Sequence, residues 1–163
     1  MKKMSSAFVT LGLVIVLILV LAPAATAASG RTAVSGTWTW ENTLWDAMDL
    51  PTGGQVGYGE EIGVWTGAFA GSSFDTFNGV YQPQGGGGEL FVGTLWIHFD
   101  GKVNGVSGKM LMRVTFKGGG PVPGMDGQWT IVKGWDGLGG LSGSGTWYIR
   151  EEGPAHYAGM VWM

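Results

Sequence analysis

From Val34 onward, apolar and aromatic residues gather in short runs, alternating with polar ones most clearly in "MLMRVTFK", and Gly, Asn, Asp and Pro separate one run from the next. A period of two places alternate side chains on opposite faces of a strand, so each run predicts a strand with one buried face. The runs fall at Val34–Trp40, Glu61–Phe69, Phe74–Tyr81, Leu90–Phe99, Ser107–Phe116, Gln128–Val132, Gly145–Arg150 and His156–Trp162. Short strands at such regular spacing predict an all-β domain, and eight of them suit a small closed antiparallel barrel. Such a barrel is either filled by its own side chains or holds one small ligand.

The alternation also assigns faces. In "MLMRVTFK", Met110, Met112, Val114 and Phe116 share a face that reads as core, and Arg113 falls on the other. The expected state of Arg113 is an exposed arginine on the barrel exterior. The alternative is an inward arginine paired with Glu41 or Glu61. In "TLWIHF", Thr94, Trp96 and His98 share one face and Leu95, Ile97 and Phe99 the other. A lumen lined by Trp96 and His98 would be polar enough to orient a ligand. Glu60 and Glu61 are adjacent and must point to opposite faces, so at most one is inside. That excludes a pair of glycosidase carboxylates from these two residues, because such a pair faces across a sugar.

Breaks between runs carry turn signals. Asp100-Gly101 reads as a two-residue hairpin, with Asn104-Gly105 a second signal close behind, because a type I′ turn needs positive φ at both central residues. "QPQGGGGE" and "GGGPVPG" read as connectors, the first lacking the Lys-Ser/Thr and helix of a phosphate-binding loop. The longest break, Asn42–Glu60, predicts a short helical turn at Leu44–Asp49 that stops before Pro51. A loop of that length at a barrel mouth is either a plug or a functional segment, which keeps Trp45, Asp46, Met48 and Asp49 in view. In "GWDGLGGLSGSGTW", Gly134–Trp147, the glycines suit a corner where backbones approach closely, with Leu138 and Leu141 as the side chains able to reach the core.

Composition supports the same class. The chain has 32 glycines and 9 tryptophans in 163 residues, and glycine costs a helix interior about 1 kcal/mol relative to alanine. The N-terminus differs from the rest: Lys2 and Lys3, an uncharged apolar run from Ala7 to Leu21, then Ala25-Thr26-Ala27. This is the pattern of a cleaved secretory signal over residues 1–27, the mature chain starting at Ala28. The alternative is an uncleaved anchor, which would be the chain's only membrane contact. The remaining stretch, residues 28–163, suffices for one barrel domain. With no cysteine, its stability comes from packing even in a compartment that permits disulfides.

A net charge of −3 without any basic stripe argues against nucleic acid as a partner. His98 and His156 stand outside any metal-ligand spacing, no G-x-S-x-G is present, and no cofactor or metal is expected. The tryptophans divide: Trp38, Trp129 and Trp147 sit beside small residues and read as core. Some of Trp40, Trp45, Trp65, Trp135 and Trp162 are expected at the surface or the mouth, since indole N–H groups need partners.

The pattern "SGKMLMRVTFKG…GQWTIVKGWDGLGGLSGSGTW…HYAGMVW", Ser107 to Trp162, resembles a bacterial family known as domain of unknown function 3224. The resemblance covers the C-terminal half well, "FVGTLWIHFDGKVNGVSGKM" fairly, and the earlier part only through "SGTWTW". It implies an eight-stranded antiparallel barrel similar to allene oxide cyclases and plant dirigent proteins, which bind hydrophobic molecules and steer a cyclisation or coupling. It brings no catalytic residue set, and barrels of this type often form homo-oligomers. Typical members lack a signal peptide and nine tryptophans, so this chain departs from them. Gly36-Thr37-Trp38 also resembles the G-x-W of lipocalins and avidins.

These readings lead to a secreted or periplasmic barrel that binds a small hydrophobic or aromatic ligand or serves as a structural domain. Trp96, His98, Arg113, Trp45, Asp46 and Trp40 are the candidate ligand-binding residues. Two other classes compete: a cyclase or isomerase with His98, Arg113 or Asp46 placing charge against a transition state, and a carbohydrate-binding module using exposed tryptophans.

Overall fold

A computed structural model describes residues 30–51, 53–84, 88–119, 124–150 and 153–163. The signal segment expected at residues 1–27, the tips of both Gly-rich connectors and part of the β7–β8 turn lie outside the described residues. Eight strands form the chain: β1 (Thr32–Asp49), β2 (Gln55–Gly67), β3 (Phe69–Gln84), β4 (Gly88–Val103), β5 (Val106–Gly119), β6 (Met125–Asp136), β7 (Ser142–Ile149) and β8 (Ala155–Trp162). Each pairs antiparallel with the next, and β1 pairs with β8 from Thr32↔Val161 to Trp38↔Ala155, so the sheet closes. Closure leaves no edge strand among them.

All eight expected strands are present, most of them longer than expected. The largest difference is the Asn42–Glu60 break. Instead of a helical turn at Leu44–Asp49, β1 runs on to Asp49 and pairs residue by residue with β2, ending at Asp49↔Gln55. A bulge between Asn42 and Leu44 gives the cause. The extra residue flips the alternation, so inward positions pass from Trp38, Trp40 and Asn42 to Trp45, and the period of two vanishes from the sequence although the strand continues.

Two turns also move. Asp100 and Gly101 are strand residues, paired with Lys109 and Gly108; the β4–β5 reversal is at Asn104-Gly105, with φ of 49° and 85°. Both signals were of the same type, and the one that leaves Phe99, Val103 and Met110 all facing the core is the one used. Phe69 belongs to β3 rather than β2, because the chain reverses at Gly67, whose φ is 96°.

One end of the barrel is filled. Val34, Phe69, Phe99, Val103, Met110, Leu138 and Val161 are buried there. The Gly134–Trp147 stretch closes this end: Leu138 N–H donates to the Trp135 carbonyl (3.1 Å) and Leu141 N–H to the Leu138 carbonyl (3.0 Å). Leu138 is fully buried against Gly108 and Gly134, where any side chain would collide with it. Both leucines reach the core, as the sequence indicated. Tyr157 fastens the same end: its hydroxyl accepts from Phe69 N–H (2.8 Å) and donates to the Thr66 carbonyl (3.0 Å), while its ring stacks on Phe69 at 4.8 Å.

Candidate functional site

The other end of the barrel is open. A cavity of about 280 Å³ lies inside it, and eight of its twelve lining residues are aromatic. Its walls arise from a repeated device, a glycine on one strand beneath a ring from its neighbour. Gly57 sits under Trp45, Gly59 under Phe77, Gly79 under Phe91 and Gly93 under Phe116. A Cβ at any of these would meet the ring, so the aromatic wall depends on the missing side chains. The rings contact one another: Trp38 and Trp40 at 4.9 Å, Tyr81 and Phe91 stacked at 3.9 Å, Phe91 and Phe116 at 4.8 Å. Trp45 packs on Phe77 at 5.5 Å and Tyr81 at 5.7 Å, forming part of the rim.

The floor is polar. Glu61 lines the cavity yet is only 4% exposed, and directly opposite it in the β2–β3 register stands Asp75, with no exposed surface. Trp65 Nε1 donates to Ser73 Oγ (2.9 Å), which donates to Asp75 Oδ2 (3.0 Å). Asp75 Oδ1 and Trp38 Nε1 are buried without a protein partner. Burial pushes the Glu61 carboxyl up to about 7. Burial, opposed by the Ser73 hydrogen bond and reinforced by the nearby Glu61 charge, pushes Asp75 up to about 8. Both shifts disfavour a charged form that no cation compensates. Two facing carboxyls titrate as a pair, and burial holds both members above the ordinary carboxylate range.

The candidate residues separate into two groups. Trp40 and Trp45 come together in the cavity wall. Trp96, His98, Arg113 and Asp46 do not join them. Trp96 is half-buried and His98 exposed on the outer face, opposite Arg113 and Leu111 in β5, while Leu95, Ile97 and Phe99 fill the lumen. The face assigned to the lumen is therefore reversed: burial follows the wholly apolar side of the strand. Arg113 is exposed, as expected of an exterior arginine, and faces away from Glu61. Asp46 is exposed and sits opposite Tyr58 on the outer face.

Asp75 went unnoticed in the sequence, and Glu61 figured as a partner for Arg113 and as one of two adjacent acids of which at most one could point inward. A signal for Glu61 was present: in "GYGEEIGVW", it shares its parity with Gly57, Gly59, Gly63 and Trp65, the glycine-and-tryptophan side that turned out to be inward.

Fold and site together define an eight-stranded antiparallel meander barrel with one packed end and one open, aromatic-walled end. A solved structure of a protein of unknown function from the DUF3224 family, from Shewanella oneidensis MR-1, has the same fold. The two superpose with a TM-score of 0.60 at 16% identity, over 81% of this chain and 96% of that one. The resemblance to this family read from Ser107–Trp162 thus extends to the fold. No protein-family model matches the sequence, and no curated protein matches it significantly.

Proposed function

We propose that this protein is a secreted barrel that binds a small, flat hydrophobic or aromatic molecule in its open end. The observation that carries the reading is the cavity of about 280 Å³ with its aromatic wall. An apolar cavity of about 150 Å³ accepts benzene, so this one has room for a molecule of roughly two rings. Such a pocket, mostly apolar with a few polar groups to fix orientation, is the usual form of a small-molecule site. Secretion rests on the Lys2-Lys3, apolar run and Ala25-Thr26-Ala27 pattern.

A second reading, a cyclase or isomerase on a hydrophobic substrate, draws support from the Glu61–Asp75 pair, since carboxyls titrating near neutrality suit general acid–base work. The carbohydrate-module reading loses weight. Among the described residues the exposed tryptophans are Trp45 and Trp135, one at the open rim and one at the packed end, so they form no row for a sugar chain.

Titration with 2-naphthol, followed by quenching of tryptophan fluorescence, tests the binding reading. Saturable one-to-one quenching that Trp45→Ala weakens is expected. A lack of saturable binding would remove the reading.

A further inference from the structure

We propose that the open end of the barrel selects a cationic ligand, an aromatic or aryl-alkyl ammonium whose ring lies against the aromatic wall and whose charged nitrogen meets Glu61 at the floor. The inference rests on the cavity being a binding site, and it names the chemistry of the occupant.

The floor holds acidic groups without a countercharge. Glu61, Ser73 and Asp75 are the buried polar and charged residues among those described; no lysine, arginine or histidine is among them. Glu61 is packed against β1 and β3. On β1 the residue opposite it is Asn42, which is neutral, and on β3 it is Asp75. Across the cavity the wall residues from β4 to β7 are Phe91, Leu95, Phe116, Met125 and Trp147, none of them ionisable. Asp75 is therefore the carboxyl that faces Glu61, and it is of the same sign; Tyr81, further along β3, is the other titratable residue lining the cavity, and burial holds its hydroxyl above the usual tyrosine range, so it stays neutral at both pH values of the test. Among the described residues no cationic side chain enters the barrel interior: Arg113 is exposed on the outer face, and the Lys109–Asp100 ion pair (3.4 Å) is at the surface.

A hydrophobic residue in place of either carboxyl would pack this floor at lower cost. Retention of two facing acids beneath an otherwise apolar cavity is an inconsistency of the kind that marks a functional site. The wall agrees with the floor in sign. Aromatic faces carry negative potential and attract cations, and rings grouped around one space are a recurrent receptor for ammonium groups. Asp75 Oδ1, buried and unpartnered, leaves an acceptor site unused. Trp38 Nε1 and Ser73 Oγ both border the space over Gly63, so an unpartnered indole donor stands on the same floor, near the hydroxyl that bonds Asp75. A cation reaching Glu61 would draw a proton off the acid pair and complete the site.

The test compares two probes with one skeleton, phenethylammonium and the neutral 2-phenylethanol, by isothermal titration at pH 8 and pH 5. The ammonium keeps its charge at both, since an alkyl amine titrates near 10. At pH 8 it is expected to bind at least about tenfold more tightly than the alcohol, as a charge-assisted contact does. The preference should collapse at pH 5, where the acid pair is protonated. Glu61→Gln should abolish it at pH 8 while alcohol binding persists, which also shows that the variant is folded; Asp75→Asn should reduce it. Equal affinities in the unaltered protein at pH 8, or an undiminished preference in Glu61→Gln, would overturn the inference and leave the cavity reading standing. Binding of neither probe would overturn both.

Discussion

Replacing Glu61 with glutamine removes the carboxyl that lines the cavity while keeping its size, and the effect on stability has a sign that depends on pH. In the folded barrel burial raises this carboxyl from 4.5 to about 7. Between those values the unfolded chain has released a proton that the folded one retains, so unfolding gains free energy as pH rises. The stability of the unaltered protein must fall from about pH 4.5 and level off above about pH 7. The shift corresponds to roughly 3 kcal/mol for Glu61 alone. Asp75 acts in the same direction over a range that reaches about 8. Glutamine has no proton to lose, so Glu61→Gln is expected to match the unaltered protein at pH 4.5 and to exceed it by roughly 3 kcal/mol at pH 8. Urea unfolding followed by tryptophan fluorescence, at half-unit steps from pH 4.5 to pH 8, measures this; the difference between the two proteins cancels the titration of groups remote from Glu61, while Asp75, which the Glu61 charge helps to raise, is eased in the variant and adds to the difference in the same direction. A constant difference across the range, or a variant that is the less stable at pH 8, would refute the burial of an uncompensated carboxyl at this position.

Other expectations follow from the packed end and the wall. Tyr157→Phe strips Phe69 N–H of its 2.8 Å acceptor and should lower stability by about 1–3 kcal/mol; an unchanged urea midpoint would contradict it. Leu138→Ala empties a fully buried site and should cost about 2–5 kcal/mol, read in the same unfolding experiment. Gly93→Val places atoms where the Phe116 ring now lies, so it should drive that ring into the cavity and suppress 2-naphthol binding; undiminished binding by the folded variant would argue against the glycine-under-ring account of the wall. Trp45→Ala removes a side chain that is 44% exposed, so it should weaken ligand binding by about tenfold while changing stability by less than about 1.5 kcal/mol.

The closed barrel and the identity of its strands were legible because a period of two survives in most of them. "MLMRVTFK" assigned the burial of Met110, Met112, Val114 and Phe116 correctly, and the paired leucines of the glycine corner went to the core. The failures share a physical origin in registers that one strand alone cannot fix. In β1 the bulge after Asn42 reverses the inward parity, which made a continuous strand look like a loop and gave Asp46 an apparent role that its outward direction removes. In β4 both faces carry bulky residues, and weighting Trp96 and His98 for their chemistry overrode the plainer rule that Leu95, Ile97 and Phe99 would be buried. Asp75 escaped because an acid in a strand is ordinarily exposed; only its position opposite Glu61 across the β2–β3 ladder gives it meaning. Pairing between strands, rather than any run of residues, assembles the cavity floor.

Native mass spectrometry of the protein purified from its source, followed by solvent extraction, tests the central claim most directly. A mass in excess of that of the polypeptide itself, released by solvent as a small aromatic compound, is the predicted result. A bare chain mass, together with no saturable binding of 2-naphthol or of phenethylammonium, would contradict the account of the open end as a ligand site.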